Sequence, residues 1–227
     1  MKFVKWKFLI ITCLICLSPV LLGIALWDKL PDTLAIHFNI NNEPDNFASK
    51  GFVVFGLPVL IVLLQAICCI AGDINARTHA VHRKFEQTAK WIIPIMSVIL
   101  QIITLGYGLG WDIDIRKCAM LIIGVIFITL GNYMPKLDYI NGCNFAGISF
   151  TALVGYVSKR GCTKNEGIGT DKARKINRFM GFGMVIMGIL GLITIFLPTV
   201  SSVIWLILLI PYVAVSVIYT VKVTKNK

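Results

Sequence analysis

The polar side chains best suited to binding chemistry lie between the first two long apolar runs of the chain. His37, Asn39, Glu43 and Asp45 place an imidazole, an amide and two carboxylates close together. These groups bind partners through hydrogen bonds and charge. Two interpretations stay open: a lid packed on helix ends, with Asp45 as a helix cap, or an outward-facing recognition surface. The candidate residues of this loop are Pro31, Asp32, His37, Asn39, Glu43, Pro44, Asp45 and Lys50.

The loop has the pattern of ordered structure. Ile36, Phe38 and Ile40 alternate with His37 and Asn39, which predicts a short half-buried strand. Residues 41–45, with the sequence NNEPD, predict the turn that follows it.

Other groups that bind metals or protons are sparse. Cys13 and Cys16 form a CxxC inside an apolar run, which favours packing over a redox or metal pair. His79 and His82 lie three residues apart, but neighbouring Arg and Lys residues repel a cation, so a solvated basic helix is favoured. The apolar runs contain no ionisable residue, which argues against ion-coupled transport. We therefore expect no enzyme activity, no cofactor and no metal site.

The composition requires a membrane. The 227 residues are 57% hydrophobic and 15% charged, against about 45–50% and about 25% in soluble domains. Since a spanning helix needs about 20 apolar residues, six uncharged runs predict an all-α integral membrane protein with six transmembrane helices. The runs cover residues 8–27, 51–72, 91–111, 118–135, 179–203 and 204–221, with a turn at 198–202 between the last two.

Basic residues define the predicted orientation. The segments before, between and after the runs contain 3, 2, 4, 2, 8, 0 and 3 Lys and Arg residues. Because cytoplasmic loops carry the excess of basic residues, both termini are predicted to be cytoplasmic and loop 28–50 to be a short, ordered outer loop. The net charge of +11 then marks orientation and attraction to the lipid bilayer, not nucleic-acid binding.

Three segments follow from this topology. Residues 1–72 form a two-helix unit with outer loop 28–50, residues 73–117 a basic cytoplasmic segment with the third helix and second outer loop, and residues 118–227 the last three helices with a cytoplasmic loop at 136–178. Within that loop, uncharged residues 139–157 are expected to be interfacial or re-entrant. Gly181 and Gly188 share a helix face that serves packing within the monomer or, alternatively, a homo-oligomer.

Two motifs resemble those of one bacterial family. The first loop contains LPD at 30–32, HFN at 37–39, EPD at 43–45 and SK at 49–50. It resembles the domain of unknown function near the N-terminus of SdpI-type membrane proteins. The second motif, GNYMPK, is similar to the GN-x-x-PK of that family's C-terminal half. Its candidate residues are Gly131, Asn132, Pro135 and Lys136.

The resemblance implies a bacterial immunity and signalling protein in the cytoplasmic membrane. Such a protein protects the cell against a secreted antimicrobial peptide toxin and captures a cytoplasmic transcriptional repressor. The expected partner loop includes Arg174, Lys175 and Arg178. It departs from the family pattern at residues 147–153 and 176–178, where a basic residue, a Trp and a His are replaced. The alternative function is an accessory subunit of a membrane transport or envelope-stress system.

Overall fold

The computed structural model describes residues 4–78, 83–136, 144–145, 148–149 and 170–225. Within them, six helices are long and apolar enough to cross a membrane, as the sequence predicted. The helices are α1 (Trp6–Ala25), α2 (Leu57–Thr78, preceded by a π-helical stretch at Phe52–Gly56), α3 (Arg83–Gly108), α4 (Ile115–Tyr133), α5 (Thr170–Ile193) and α6 (Thr199–Lys225).

Two small antiparallel hairpins accompany the helices. Strands β1 (Thr33–Phe38) and β2 (Pro44–Ser49) form the first, and β3 (Asn144–Phe145) and β4 (Ile148–Ser149) form the second. The second hairpin lies within the segment predicted to be interfacial or re-entrant. The rest of that segment lies outside the described residues, as do His79 and His82.

Two predicted helix boundaries are wrong. The last two spans separate at Leu197 and Pro198, and α6 already begins at Thr199, because the Ser201 N–H and hydroxyl both donate to the Pro198 carbonyl and close the first turn. Helix α5 begins at Thr170, so the end of the predicted loop 136–178 is helical.

The chain divides into two compact units. Unit 1 comprises Met1–Asp73 and Ala89–Ala119, and unit 2 comprises Ile74–Thr88 and Met120–Lys227. Each unit has its own apolar core. In unit 1 the core lies below the first hairpin and consists of Leu30, Leu34, Val53, Val54 and Leu105. In unit 2 it is centred on Met120, Met187 and Trp205.

Unit 1 contains helical prolines whose missing N–H groups are replaced by side-chain donors. A proline leaves a carbonyl of the preceding turn without its helical partner, and an unpaired carbonyl is costly in a membrane. Three donors compensate: Ser18 on the Ile15 carbonyl at 2.8 Å before Pro19, Gln101 on the Val53 carbonyl at 3.0 Å before Pro58, and Gln65 on the Lys90 carbonyl at 3.1 Å before Pro94.

Unit 2 is organised around contacts between the backbones of α4 and α5. Gly124 faces Gly188, and Gly131 faces Gly181. A Cβ atom on any of the four would lie 2.7 to 3.0 Å from the opposing carbonyl oxygen. The small-residue face of α5 therefore packs within the chain at Gly181 and Gly188, as the first of the two alternatives predicted.

Candidate functional site

The first hairpin contains a second strand, β2, in addition to the predicted strand and turn. Strand β1 pairs with β2 from Thr33 opposite Ser49 to Phe38 opposite Pro44. The connecting turn closes through the Asn39 N–H and the Glu43 carbonyl at 2.9 Å. Pro44 and Asp45, predicted to belong to the turn, lie in β2.

The predicted buried face of β1 is right for Phe38, which is half-buried, and wrong for Ile36 and Ile40. Leu34 and Ala35 are the buried residues of this strand, whereas Ile36 is 40% exposed and Ile40, beyond the strand, is 67% exposed. The register is irregular on both sides of His37. Such a bulge breaks the strict alternation of strand faces on which the prediction rested.

The polar residues of the hairpin pair with one another across it. His37 Nδ1 lies 2.5 Å from Asp45 Oδ1. Asn39 Nδ2 donates to Glu43 Oε2 at 2.9 Å. Asn39 Oδ1 also accepts the N–H groups of Asn41 and Glu43. The predicted site residues are thus brought together, and they hold the shape of the hairpin.

Asp45 is not a helix cap. The Ser49 hydroxyl accepts the Phe52 N–H at 3.3 Å, which is the bond that an N-cap makes to the third helical residue. The lid interpretation is therefore wrong in this detail.

Lys50 closes the base of the hairpin. Its Nζ donates to the Trp27 and Leu30 carbonyls at 3.3 Å each and lies 4.8 Å from the centroid of the Trp27 ring. Its N–H donates to the Asp32 carbonyl at 2.8 Å. The Asp32 side chain is fully exposed, so its ion pair with Lys50 contributes little. The segment around Pro31 is thereby joined to the start of the second span.

Asn42 docks the hairpin tip and was missed by the sequence analysis. Its Nδ2 donates to the Ile113 carbonyl at 3.3 Å, and its Oδ1 accepts the Ile115 N–H at 2.8 Å. Asn42 has a φ of 65°, a conformation that asparagine tolerates better than most residues. The signal in the sequence was an asparagine in a tight turn, but its partners lie 71 and 73 residues away.

Two apolar contacts complete the docking on α3. The Phe38 ring meets the Tyr107 ring edge-on at 4.7 Å between centroids. Leu34 packs over Gly108, where a Cβ would collide with it. The hairpin is consequently fixed on the end of α3.

Asp114 begins α4 beside the docked tip. Its Oδ1 accepts the Lys117 N–H at 3.0 Å, as an N-cap does. Burial alone would raise the pKa of this carboxyl, but the hydrogen bonds from Lys117 and the charges of Arg116 and Lys117 outweigh it and lower the pKa.

Several exposed side chains of the hairpin are apolar or acidic. Phe47 is 54% exposed, and Ile36 and Ile40 are exposed with it. Asp32, Glu43 and Asp45 are also exposed. We call Ile36, Ile40 and Phe47, together with these three carboxylates, the hairpin face.

Residues 14–62 match a domain of unknown function, DUF1648. This domain occurs in SdpI-like membrane proteins. The match contains the whole hairpin and every candidate residue of the first loop. No curated protein and no solved structure matches the chain.

Unit 1 also contains a buried ion pair beyond the DUF1648 match. Lys90 Nζ lies 2.7 Å from Asp73 Oδ1, and both side chains are at least nine-tenths buried. The Lys5 N–H donates to Asp73 Oδ2 at 2.8 Å. The pair falls within the candidate spans Phe52–Ile74 and Lys84–Gly108, and each of its residues lies one position outside an uncharged run. The pair ties the start of α1 to α2 and α3.

The remaining candidate residues lie in unit 2. Gly131 and Pro135 pack against Gly181, while Asn132 and Lys136 are exposed. Arg174, Lys175 and Arg178, predicted in a loop, are exposed on the first turns of α5. The motif at the end of α4 therefore divides into packing and surface positions.

Proposed function

We propose that this chain is a bacterial membrane immunity protein that binds a secreted antimicrobial peptide at the hairpin face. Exposed Ile40 and Phe47 offer apolar contacts, and nearby carboxylates offer charge. A cationic amphipathic peptide complements both. The carrying observation is that this face is exposed on a hairpin whose shape is fixed from within and by α3.

The proposed orientation places the hairpin outside the cell. The alternation of basic residues along the chain supports cytoplasmic termini. The segments then assigned to the outside have a net charge of −2. Since screening acts over about 8 Å at physiological salt, this charge steers a cationic peptide only at short range.

Repressor capture is the second part of the proposal. Arg174, Lys175 and Arg178 would face the cytoplasm in this orientation, on turns that follow residues 150–169, which lie outside the described part. Their exposure supports contact with an acidic protein surface. A reporter for immunity-gene expression, with and without an Arg174→Gln/Arg178→Gln variant, tests this part.

Protection of a sensitive Gram-positive host tests the main proposal. Cells expressing the chain are challenged with a panel of secreted membrane-active peptides, and we expect selective survival against one. An Ile40→Ser/Phe47→Ser variant should lose protection at unchanged membrane abundance, because both side chains are exposed. Asn46→Ser, an exposed change on the same strand, is the matched control.

Uniform sensitivity despite good insertion would overturn the immunity function. Co-purification of the chain in fixed stoichiometry with a larger membrane complex would then support the accessory-subunit alternative.

A further inference from the structure

One end of unit 2 carries a concentration of exposed basic side chains. The candidate spans Ile115–Lys136, Arg174–Phe196 and Thr199–Val223 all terminate there. We call these residues the basic collar. They are Lys136, Arg174, Lys175, Arg178, Lys222 and Lys225.

Packing between the helices holds the collar together. Ile176, 1% exposed, packs with Tyr219 and Val223. The Phe179 ring stacks on the Tyr219 ring at 4.3 Å between centroids. The first turns of α5 and the last turns of α6 therefore present their cations side by side.

The collar has an excess of positive charge that favours an anion. Arg174 and Arg178 are four residues apart on α5, a spacing at which like charges repel. In the described part of these turns the acidic residue is Asp171, 4.0 Å from Arg174, and exposed Lys175 and Arg178 add two further cations.

An apolar stripe runs along α5 away from the collar. Phe179, Phe182 and Ile186 follow Lys175 at helical spacings of four, three and four residues, and they are 36%, 56% and 57% exposed. The same helix face thus offers cations at the end of a span and apolar side chains along it.

We propose that the collar and this stripe bind one anionic phospholipid, with its phosphate at the collar and an acyl chain along α5. The spans end at the collar, which puts its cations at the level of the lipid headgroups. An acidic soluble protein would use the cations but not the apolar stripe, so lipid is the favoured occupant. This inference does not depend on peptide binding at the hairpin face, and it competes with repressor capture for Arg174, Lys175 and Arg178.

Lipid retention by the full-length chain is the test. The protein is reconstituted in nanodiscs of phosphatidylcholine with phosphatidylglycerol of the same acyl chains, extracted gently and examined by native mass spectrometry. We expect one phosphatidylglycerol to be retained in preference to phosphatidylcholine. Lys175→Gln/Arg178→Gln should weaken retention about 30-fold, equivalent to about 2 kcal/mol for two cations.

Two further variants separate site from overall charge. Lys7→Gln/Lys29→Gln removes the same charge from exposed positions of unit 1 and should leave retention unchanged. Lys175→Arg/Arg178→Lys keeps the charge and should retain the lipid. Equal loss in the unit 1 variant, or no preference for phosphatidylglycerol in the wild type, would overturn the site. Binding of an acidic peptide in place of lipid would reassign the collar to a protein partner.

Discussion

Unit 1 and unit 2 are each stabilised internally by a different kind of contact. In unit 1, polar side chains pair with buried polar groups. Gln101 donates to the Val53 carbonyl, and the Lys90 ammonium pairs with the Asp73 carboxylate. In unit 2, glycines let two helix backbones touch, as Gly131 and Gly181 do. A side-chain pair can be removed and replaced as a pair. A backbone contact has no side chain to exchange. We therefore expect a second, compensating substitution to restore stability in unit 1 but not in unit 2.

Replacing one partner of the buried ion pair between Asp73 and Lys90 should give the largest loss of unfolding free energy. Lys90→Met leaves Asp73 buried with only the half-exposed Lys5 ammonium, 3.7 Å away, as a cation, and we expect a loss of about 3–5 kcal/mol in unfolding free energy. Thermal unfolding in detergent measures it. Asp73→Asn/Lys90→Met removes both charges, keeps an oxygen acceptor for the Lys5 N–H, and should recover most of the loss. A double variant as unstable as Lys90→Met would contradict the idea that unit 1 is repairable.

Substitution at the contact between Gly131 and Gly181 should give the second largest loss of unfolding free energy. Gly181→Ala places a Cβ 2.7 Å from the Gly131 carbonyl oxygen, so the helices must separate, at a cost of about 1–3 kcal/mol. The same unfolding assay applies. Gly51→Ala is the matched control, because a Cβ at Gly51 meets nothing within 4 Å. Equal effects at the two glycines would refute close backbone packing.

The docked tip should give a smaller, local effect. Asn42→Gly keeps the positive φ accessible but removes both bonds to Ile113 and Ile115, each worth about 1 kcal/mol. We expect faster proteolysis within the hairpin while unit 2 unfolds as before. Asn41→Gly is the control, since Asn41 bonds to Asn39 through its backbone N–H, which glycine keeps. Unchanged proteolysis would show that α3 alone holds the hairpin.

Acid should produce the smallest effect, confined to unit 1. Because the folded-state pKa of Asp114 is lowered, its stabilisation is fully present above the ordinary carboxyl pKa of about 4 and is lost as the pH falls through the folded-state value. Asp114→Asn should flatten this part of the stability profile below about pH 4. An unaltered acid profile in the variant would assign the dependence to other carboxyls.

The sequence predicts what depends on neighbours along the chain and misses what depends on folding. Six spans follow from uncharged runs of sufficient length. Asp73 and Lys90 were missed because each lies one residue outside such a run and only folding pairs them. The hairpin was predicted as an ordered loop, but a register irregularity at His37 broke the strict alternation of buried and exposed residues. The spacing of Gly181 and Gly188 predicts the packing face of α5. That this face packs against Gly131 and Gly124 of α4 is seen only in the structure.

The prolines of unit 1 impose an order on how the sequence can change over generations. While residue 94 is proline, Gln65 supplies the hydrogen that the Lys90 carbonyl lacks. A lineage that first replaces Pro94 restores the helical N–H and frees position 65 to vary. A lineage that replaces Gln65 first passes through a buried, unpaired carbonyl. Replacement of Pro94 should therefore precede replacement of Gln65. Among related sequences, Gln65 without Pro94 should be more frequent than Pro94 without Gln65.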